Sequence, residues 1–145
     1  MSTFSIIIPV FNEARYIRQV IEAVDGVDVG PLSKEIIVVD DGSTDATPHI
    51  LDDFEGLRVF RQENGGKPVA LDHGLRHARG EAVLVLDDDD ILLPGALHVL
   101  ARCLDHRADP VHGRFLVIDN LLKHQFHLVT VPLHPGPGIL QVDRQ

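Results

Sequence analysis

The run Ala82-Val83-Leu84-Val85-Leu86 closes on four consecutive aspartates, Asp87-Asp88-Asp89-Asp90. A short apolar run that is continuous rather than alternating marks a strand covered on both faces, and such strands belong to parallel sheets between helical layers. Parallel neighbours require crossover connections, so this run commits the chain to an α/β architecture. It also fixes the place of the acidic cluster, because open α/β sheets bind ligands beyond the carboxyl ends of their strands. Unpaired carboxylates about 4 Å apart repel by about 1 kcal/mol per pair in water and about 4 kcal/mol at an effective dielectric of 20. A cation offsets that repulsion, and magnesium-type ions use one or two carboxylates together with substrate phosphates. The junction reads as a divalent-metal site that receives a phosphorylated ligand, set against the plainer reading of a solvated acidic loop.

The remainder of the chain supplies the partners of that strand. Residues 4–10, 35–39, 57–61 and 111–118 read as further strands, the third of them near an edge. Helical spacing recurs between them at Ile17, Val20, Ile21 and Val24, at Ile50, Leu51 and Phe54, at Leu71, Leu75 and Ala78, and at Leu97, Leu100, Ala101 and Leu104. Asn12 is expected to cap the first helix and Ser43, Thr44 or Asp45 the second, while Gly80 stops the third and Pro94 opens the fourth. The resulting βαβαβαβαβ order predicts an α/β layered domain with a mostly parallel central sheet. Residues 1–120 are expected to form that domain. The stretch 121–145, with Pro132, Pro135, Gly136, Pro137 and Gly138 close together, is expected to be an irregular tail, a truncated remnant of a larger domain.

Composition narrows the function. The net charge is 13 − 22 = −9, which argues against nucleic acid or an anionic membrane surface as a partner. An anionic substrate then needs local help from a metal or a few basic side chains. The single Cys103 precludes an internal disulfide, fits a reducing compartment, and falls in a helical stretch where a buried structural thiol is expected. No apolar run is long enough to span a bilayer and the amino terminus lacks a basic n-region, so a cytoplasmic location is expected. Neither a Gly-x-Gly-x-x-Gly loop nor a Walker-type phosphate loop occurs, which argues against a dehydrogenase or an NTPase.

Four polar stations punctuate the strand ends: Pro9-Val10-Phe11-Asn12-Glu13, Val39-Asp40-Asp41-Gly42-Ser43-Thr44-Asp45, Glu63-Asn64-Gly65-Gly66-Lys67, and Leu86-Asp87-Asp88-Asp89-Asp90. In this order and spacing the chain, from Ser5 to about Asn120, resembles the family 2 glycosyltransferases of the GT-A fold. The Asn-Gly-Gly-Lys loop followed by Ala70-Leu71-Asp72-His73-Gly74-Leu75 is closest to the polysaccharide-synthase branch, with Asp72 in place of that branch's common Asn. The resemblance implies a Rossmann-like fold, a nucleotide-diphospho-sugar donor (usually UDP-linked), Mg²⁺ or Mn²⁺, and inverting transfer to an acceptor such as a growing polysaccharide or a lipid. A lipid acceptor would bring the protein to the inner face of the membrane. By the same resemblance, Pro9 and Phe11 line the base pocket, Asp41 accepts a hydrogen bond from the base or ribose, and Lys67 sits near the phosphates. The Asp-x-Asp motif falls on Asp87-Asp88-Asp89. Asp89 is then the leading metal ligand, with Asp87 or Asp88 facing the ribose or a metal-bound water.

Each feature also has a plain structural reading: Asp40-Asp41-Gly42-Ser43 as a turn with a cap, Asn64-Gly65-Gly66 as a tight turn, Lys67 as a surface lysine, Phe11 as core packing. Those readings do not explain why all four stations fall on one side of one sheet. His73 and His77, one turn apart, suit a metal pair, but a zinc site needs three or four ligands, and both are expected on the exposed side of their helix. Inverting transfer also needs a general base. The family takes it from an acidic residue downstream of the metal motif, where after Asn120 this chain has only Asp143. The alternative is therefore a catalytically inactive nucleotide-sugar-binding module. The apolar stretch 121–131 admits a homo-oligomer.

Overall fold

The structure, a computed structural model, describes residues 3–80 and 82–88 and the backbone of two later strands, 113–118 and 126–131. The elements in chain order are β1 (Thr3–Val10), α1 (Ile17–Asp25), β2 (Ser33–Asp40), α2 (Thr47–Asp52), β3 (Arg58–Arg61), α3 (Lys67–His77), β4 (Ala82–Val85), β5 (Gly113–Ile118) and β6 (Phe126–Val131). They form one sheet in the order β3-β2-β1-β4-β5-β6. The pairs among β3, β2, β1, β4 and β5 are parallel, and β5–β6 is antiparallel. The expected layered arrangement with a mostly parallel sheet is what forms, with β3 on the edge.

Residues of β1 alternate between two cores, as the two-residue period of a strand demands. Phe4, Ile6, Ile8 and Val10 join Ile36, Val38, Leu84 and Leu86 on one face, under α1 and Leu51 of α2. Ile7 joins Ile37, Val39 and Val83 on the other face, under Ala70 of α3. α1 buries Ile17, Val20, Ile21 and Val24. Nine residues are too few to hold a helix in water, so that buried stripe, worth roughly 1.5–3 kcal/mol per side chain, is what keeps α1 helical. On the opposite face α3 comes unusually close to the sheet at Gly74. A Cβ there would lie 2.6 Å from Ile7 Cγ2 and 3.3 Å from Val39 Cγ2.

Three local expectations are corrected, besides the cap of α2, which falls on Ala46 with no side-chain capping bond and not on Ser43, Thr44 or Asp45. Asn12 does not cap α1: the helix starts later, behind Tyr16, and Asn12 takes a left-handed backbone conformation with φ 49°. His73 and His77 do not lie on an exposed face. They share the i, i+3, i+4, i+7 stripe of α3 with buried Ala70 and Gly74, and both rings pack on Phe60 of β3, with centroids 5.3 and 4.2 Å away. Third, the stretch 121–145 is not irregular throughout, because residues 126–131 form β6. An antiparallel edge strand satisfies its backbone on one neighbour, so polar residues such as His127 and Thr130 break its apolar pattern without breaking its pairing. The expected helix over 94–104, with Cys103, lies outside the described residues, as do Asp89 and Asp90.

The amino-terminal ends of the strands are tied by a polar clasp. Ser5 Oγ donates to Glu35 Oε1 at 2.6 Å, the Arg79 N–H donates to the same oxygen at 2.6 Å, and Arg58 Nη1 donates to Glu35 Oε2 at 2.8 Å. Burial works to raise the Glu35 pKa, but the hydrogen bonds from Ser5, Arg79 and Arg58 and the Arg58 charge outweigh it and hold the carboxyl below its ordinary value. The clasp leaves the opposite edge of the sheet to the ligand loops.

Candidate donor-binding site

Because β1, β2, β3 and β4 run parallel, the residues that follow them emerge at one edge. Strand order reverses between β1 and β4, which makes a topological switch point there. Phe11 follows β1 at that point and Asp87 and Asp88 follow β4. Phe11 is 46% exposed, the reverse of core packing. Pro9 is buried within β1, opposite Val39.

Four loops at this edge are hydrogen-bonded into a closed circuit. The Phe11 N–H donates to Asp88 Oδ2 at 3.2 Å, joining the loops after β1 and β4. The Asn12 N–H donates to Ser43 Oγ at 2.9 Å, and Asn12 Oδ1 accepts from the Thr44 N–H at 2.7 Å, joining the loops after β1 and β2. The left-handed backbone of Asn12 turns its side chain into that role, since Asn tolerates the conformation better than most residues. Asp45 reinforces the joint by accepting from the Ala14 and Thr47 N–H groups. Slight desolvation works to raise its pKa, yet the hydrogen bonds from Thr47 and Ala14 hold it below its ordinary value. Lys67 Nζ pairs with Asp87 Oδ1, joining the start of α3 to the loop after β4.

Asp41 makes the remaining joint, between the loops after β2 and β3. It is 4% exposed. Its Oδ1 accepts from Gln62 Nε2 and the Gly65 N–H, each at 2.8 Å, and its Oδ2 accepts from the Gly66 N–H at 2.9 Å and from Asn64 Nδ2 at 3.4 Å. A carboxylate offers about four lone-pair sites, and all four are directed at donors of this chain. The Asp41 charge also lies at the amino terminus of α3, where the helix dipole and free N–H groups favour an anion. The approach is tight: Gly42 has φ +78°, and a Cβ there would lie 2.8 Å from the Asn64 nitrogen.

Of the expected site residues, the fold gathers Phe11, Asp41, Lys67, Asp87 and Asp88 at one edge, while Pro9 is buried within β1. Asp89 lies outside the described residues. Asp72 is on the outer face of α3, paired with Arg76 at 2.8 Å. Gln62 escaped the sequence reading, and His73, weighed there only as half of a metal pair, bonds Gln62 instead. The signal for Gln62 is the parallel register, which sets Arg61 beside Asp40 and so delivers the next residue to Asp41. The signal for His73 is its place on the Ala70–Gly74 stripe.

Asp87 and Asp88 offer hard oxygen donors of the kind Mg²⁺ and Mn²⁺ take. Among the described residues no group of three or more His, Cys, Asp or Glu side chains is arranged to enclose a metal. One or two carboxylates are what a Mg²⁺-type ion takes from a protein when substrate phosphates supply the rest of its ligands.

Residues 5–138 match the profile of the family described as "Glycosyl transferase family 2". The chain belongs to that family. It is 33% identical over 132 residues to the glycosyltransferase GlyG of Streptococcus pneumoniae, an alignment covering 87% of this chain and 43% of GlyG. Among solved structures it is similar to S. aureus TarS 1–349 in complex with UDP-GlcNAc, with a TM-score of 0.66 and 32% identity over 72% of this chain and 31% of that one. It is likewise similar to the mannosyltransferase PcManGT from Pyrobaculum calidifontis in complex with GDP-Man and Mn²⁺, with a TM-score of 0.60 and 31% identity over 81% of this chain and 35% of that one. These likenesses make the fold GT-A. The chain spans less than half the length of each of these relatives. No helix among the described residues is long and apolar enough to cross a membrane.

Proposed function

We propose that this family 2 chain binds a UDP-sugar with Mg²⁺ or Mn²⁺ and serves inverting transfer of the sugar to a saccharide or lipid-linked acceptor. The observation that carries the reading is the closed circuit of four loops at the switch point, which sets an exposed aromatic ring, a lysine and two carboxylates at one edge of the sheet. Exposed Phe11 offers a face to the nucleobase, where stacking contributes about 1–3 kcal/mol. Lys67 brings a point charge to the diphosphate end. Asp87 and Asp88 are assigned to the metal and the ribose side, and Asp89 joins them as the leading metal ligand on the strength of the sequence motif. When bound, the ion would neutralise charge on the leaving nucleoside diphosphate, an effect that grows toward the transition state. A base or ribose hydrogen bond to Asp41 requires that one of its present donors give way.

Titration calorimetry with UDP and MnCl₂ tests this reading. Wild type should bind UDP far more tightly with Mn²⁺ than without it, and Asp89→Ala should abolish the metal's contribution. Unchanged affinity in Asp89→Ala would refute that assignment, and equal UDP binding with and without Mn²⁺ would refute the shared-ion site. Hydrolysis of UDP-GlcNAc separates transfer from mere binding: a module that only binds donor releases no sugar.

A further inference from the structure

We infer that Gln62 and His73 form a strut that positions Asp41, and through it the Gly65-Gly66-Lys67 turn, so that His73 is a positioning residue for nucleotide binding. The argument begins from donors and acceptors. A carboxylate only accepts, so the Gln62 atom 2.8 Å from Asp41 Oδ1 is the amide nitrogen. The Gln62 oxygen then faces His73 Nδ1 at 2.8 Å, and that ring nitrogen must carry a proton. His77 is fixed in the same way, because its Nδ1 lies 2.9 Å from the His73 carbonyl oxygen, which can only accept. The His73 ring packs against both Phe60, at 5.3 Å, and His77, at 5.0 Å. A histidine on one side of the loop is thus locked in orientation and tautomer, and it aims one N–H at the loop.

The strut matters because of what lies at its other end. Asp41 accepts from the Gly65 and Gly66 N–H groups, the two amides immediately before Lys67. Gly66 has φ 90° and is the residue from which α3 begins. A small rotation of the Asp41 carboxylate therefore redirects the first turn of α3 and the lysine on it. α3 carries both ends of the device, with Lys67 as its first residue and His73 farther along. The helix supplies the donor that, by way of Gln62 and Asp41, sets the turn from which it starts. Gln62 bonds Asp41 and His73 bonds Gln62, so each acts through Asp41.

The consequence for ligand binding rests on the reading under Proposed function, but the strut can be tested without it. His73→Phe keeps a ring on Phe60 and removes the N–H. His73→Asn removes the ring and keeps an N–H donor near the position of Nδ1. In the ligand-free protein, amide exchange followed by NMR should accelerate about tenfold at Gly65 and Gly66 in His73→Phe and stay close to wild type in His73→Asn, the worth of one hydrogen bond. The Kd for UDP with Mn²⁺ should rise about tenfold in His73→Phe and be restored in His73→Asn. The melting temperature should move the other way, falling more in His73→Asn, which loses the packing. If His73→Phe matches wild type in exchange, or if His73→Asn is as impaired as His73→Phe, the residue is packing and the strut is wrong. Failure of the wild-type protein to bind UDP would overturn the proposed function instead, and the exchange comparison would still decide the strut.

Discussion

Replacing Asp41 by Asn is the sharpest perturbation of the crevice, because it changes one atom and leaves the volume alone. In the best orientation the amide oxygen keeps the bonds from Gln62 and Gly65. The new NH₂ then faces the Gly66 N–H, donor against donor, and the 3.4 Å contact with Asn64 Nδ2 is lost too. Asn64 retains its bond to the Asp41 carbonyl oxygen at 3.0 Å, so the principal loss is one charge-assisted bond at a buried site. Such a bond is worth about 1.5–3 kcal/mol, and about 2 kcal/mol is the expected loss of stability. For a domain of this size that is a fall of roughly 4–8 °C in melting temperature. Glu35→Gln is a matched control at the far end of the sheet. It keeps the Ser5 and Arg79 donors, loses the Arg58 ion pair at 2.8 Å, and should also cost about 2 kcal/mol. Both variants are followed by urea denaturation and by calorimetry with UDP and Mn²⁺. Asp41→Asn should weaken UDP binding by about tenfold or more and Glu35→Gln should leave it unchanged, because only the first loosens the turn before Lys67. Equal UDP affinities in two equally destabilised variants would refute the idea that Asp41 sets the donor loop.

The Glu35 carboxyl has a folded pKa below its ordinary value near 4.5, so its contribution to stability is fully present above about pH 4.5 and is lost as pH falls through the lower folded value. Urea midpoints measured between about pH 6 and pH 3 should show that loss in wild type and a shallower one in Glu35→Gln, and parallel curves would remove Glu35 from the acid response. Gly42→Ala forces a side chain into φ +78° with its Cβ 2.8 Å from the Asn64 nitrogen. It should cost about 1–2 kcal/mol for the backbone alone and displace the loop that holds Lys67, so a variant with wild-type melting and wild-type UDP affinity would contradict the geometry. Gly74→Val places its branch against Ile7, where a Cβ alone would already be 2.6 Å away. Overpacking of about 1–3 kcal/mol exceeds what removing a helical glycine returns, so denaturation should come at lower urea.

Much of this protein could be read along the chain. The continuous apolar runs at 4–10, 35–39 and 82–86 specified strands covered on both faces, because burial on two sides removes polar residues from both registers of a strand. Parallel strands put their following residues at one edge, so the order of the elements alone assigns the stations at Phe11, Asp41, Lys67 and Asp87 to one edge of the sheet. Where the strands end was local information, written in apolar stretches and polar breaks. Which atom meets which was not. Asp41 is separated by more than twenty residues from the Gln62, Gly65 and Gly66 groups that bind it, and only the parallel register of β2 and β3 brings them together. Asn12 looked like a cap because its residue type favours one, yet the neighbouring loop after β2 offered its side chain better donors. His73 and His77 were expected in solvent because they are polar, but the sheet edge put Phe60 under their stripe of α3. Residue type and spacing determine the elements and the edge on which the chemistry gathers. Hydrogen bonds reach only about 3 Å, so their partners are decided by how separate elements are laid against one another, and that is settled only in three dimensions.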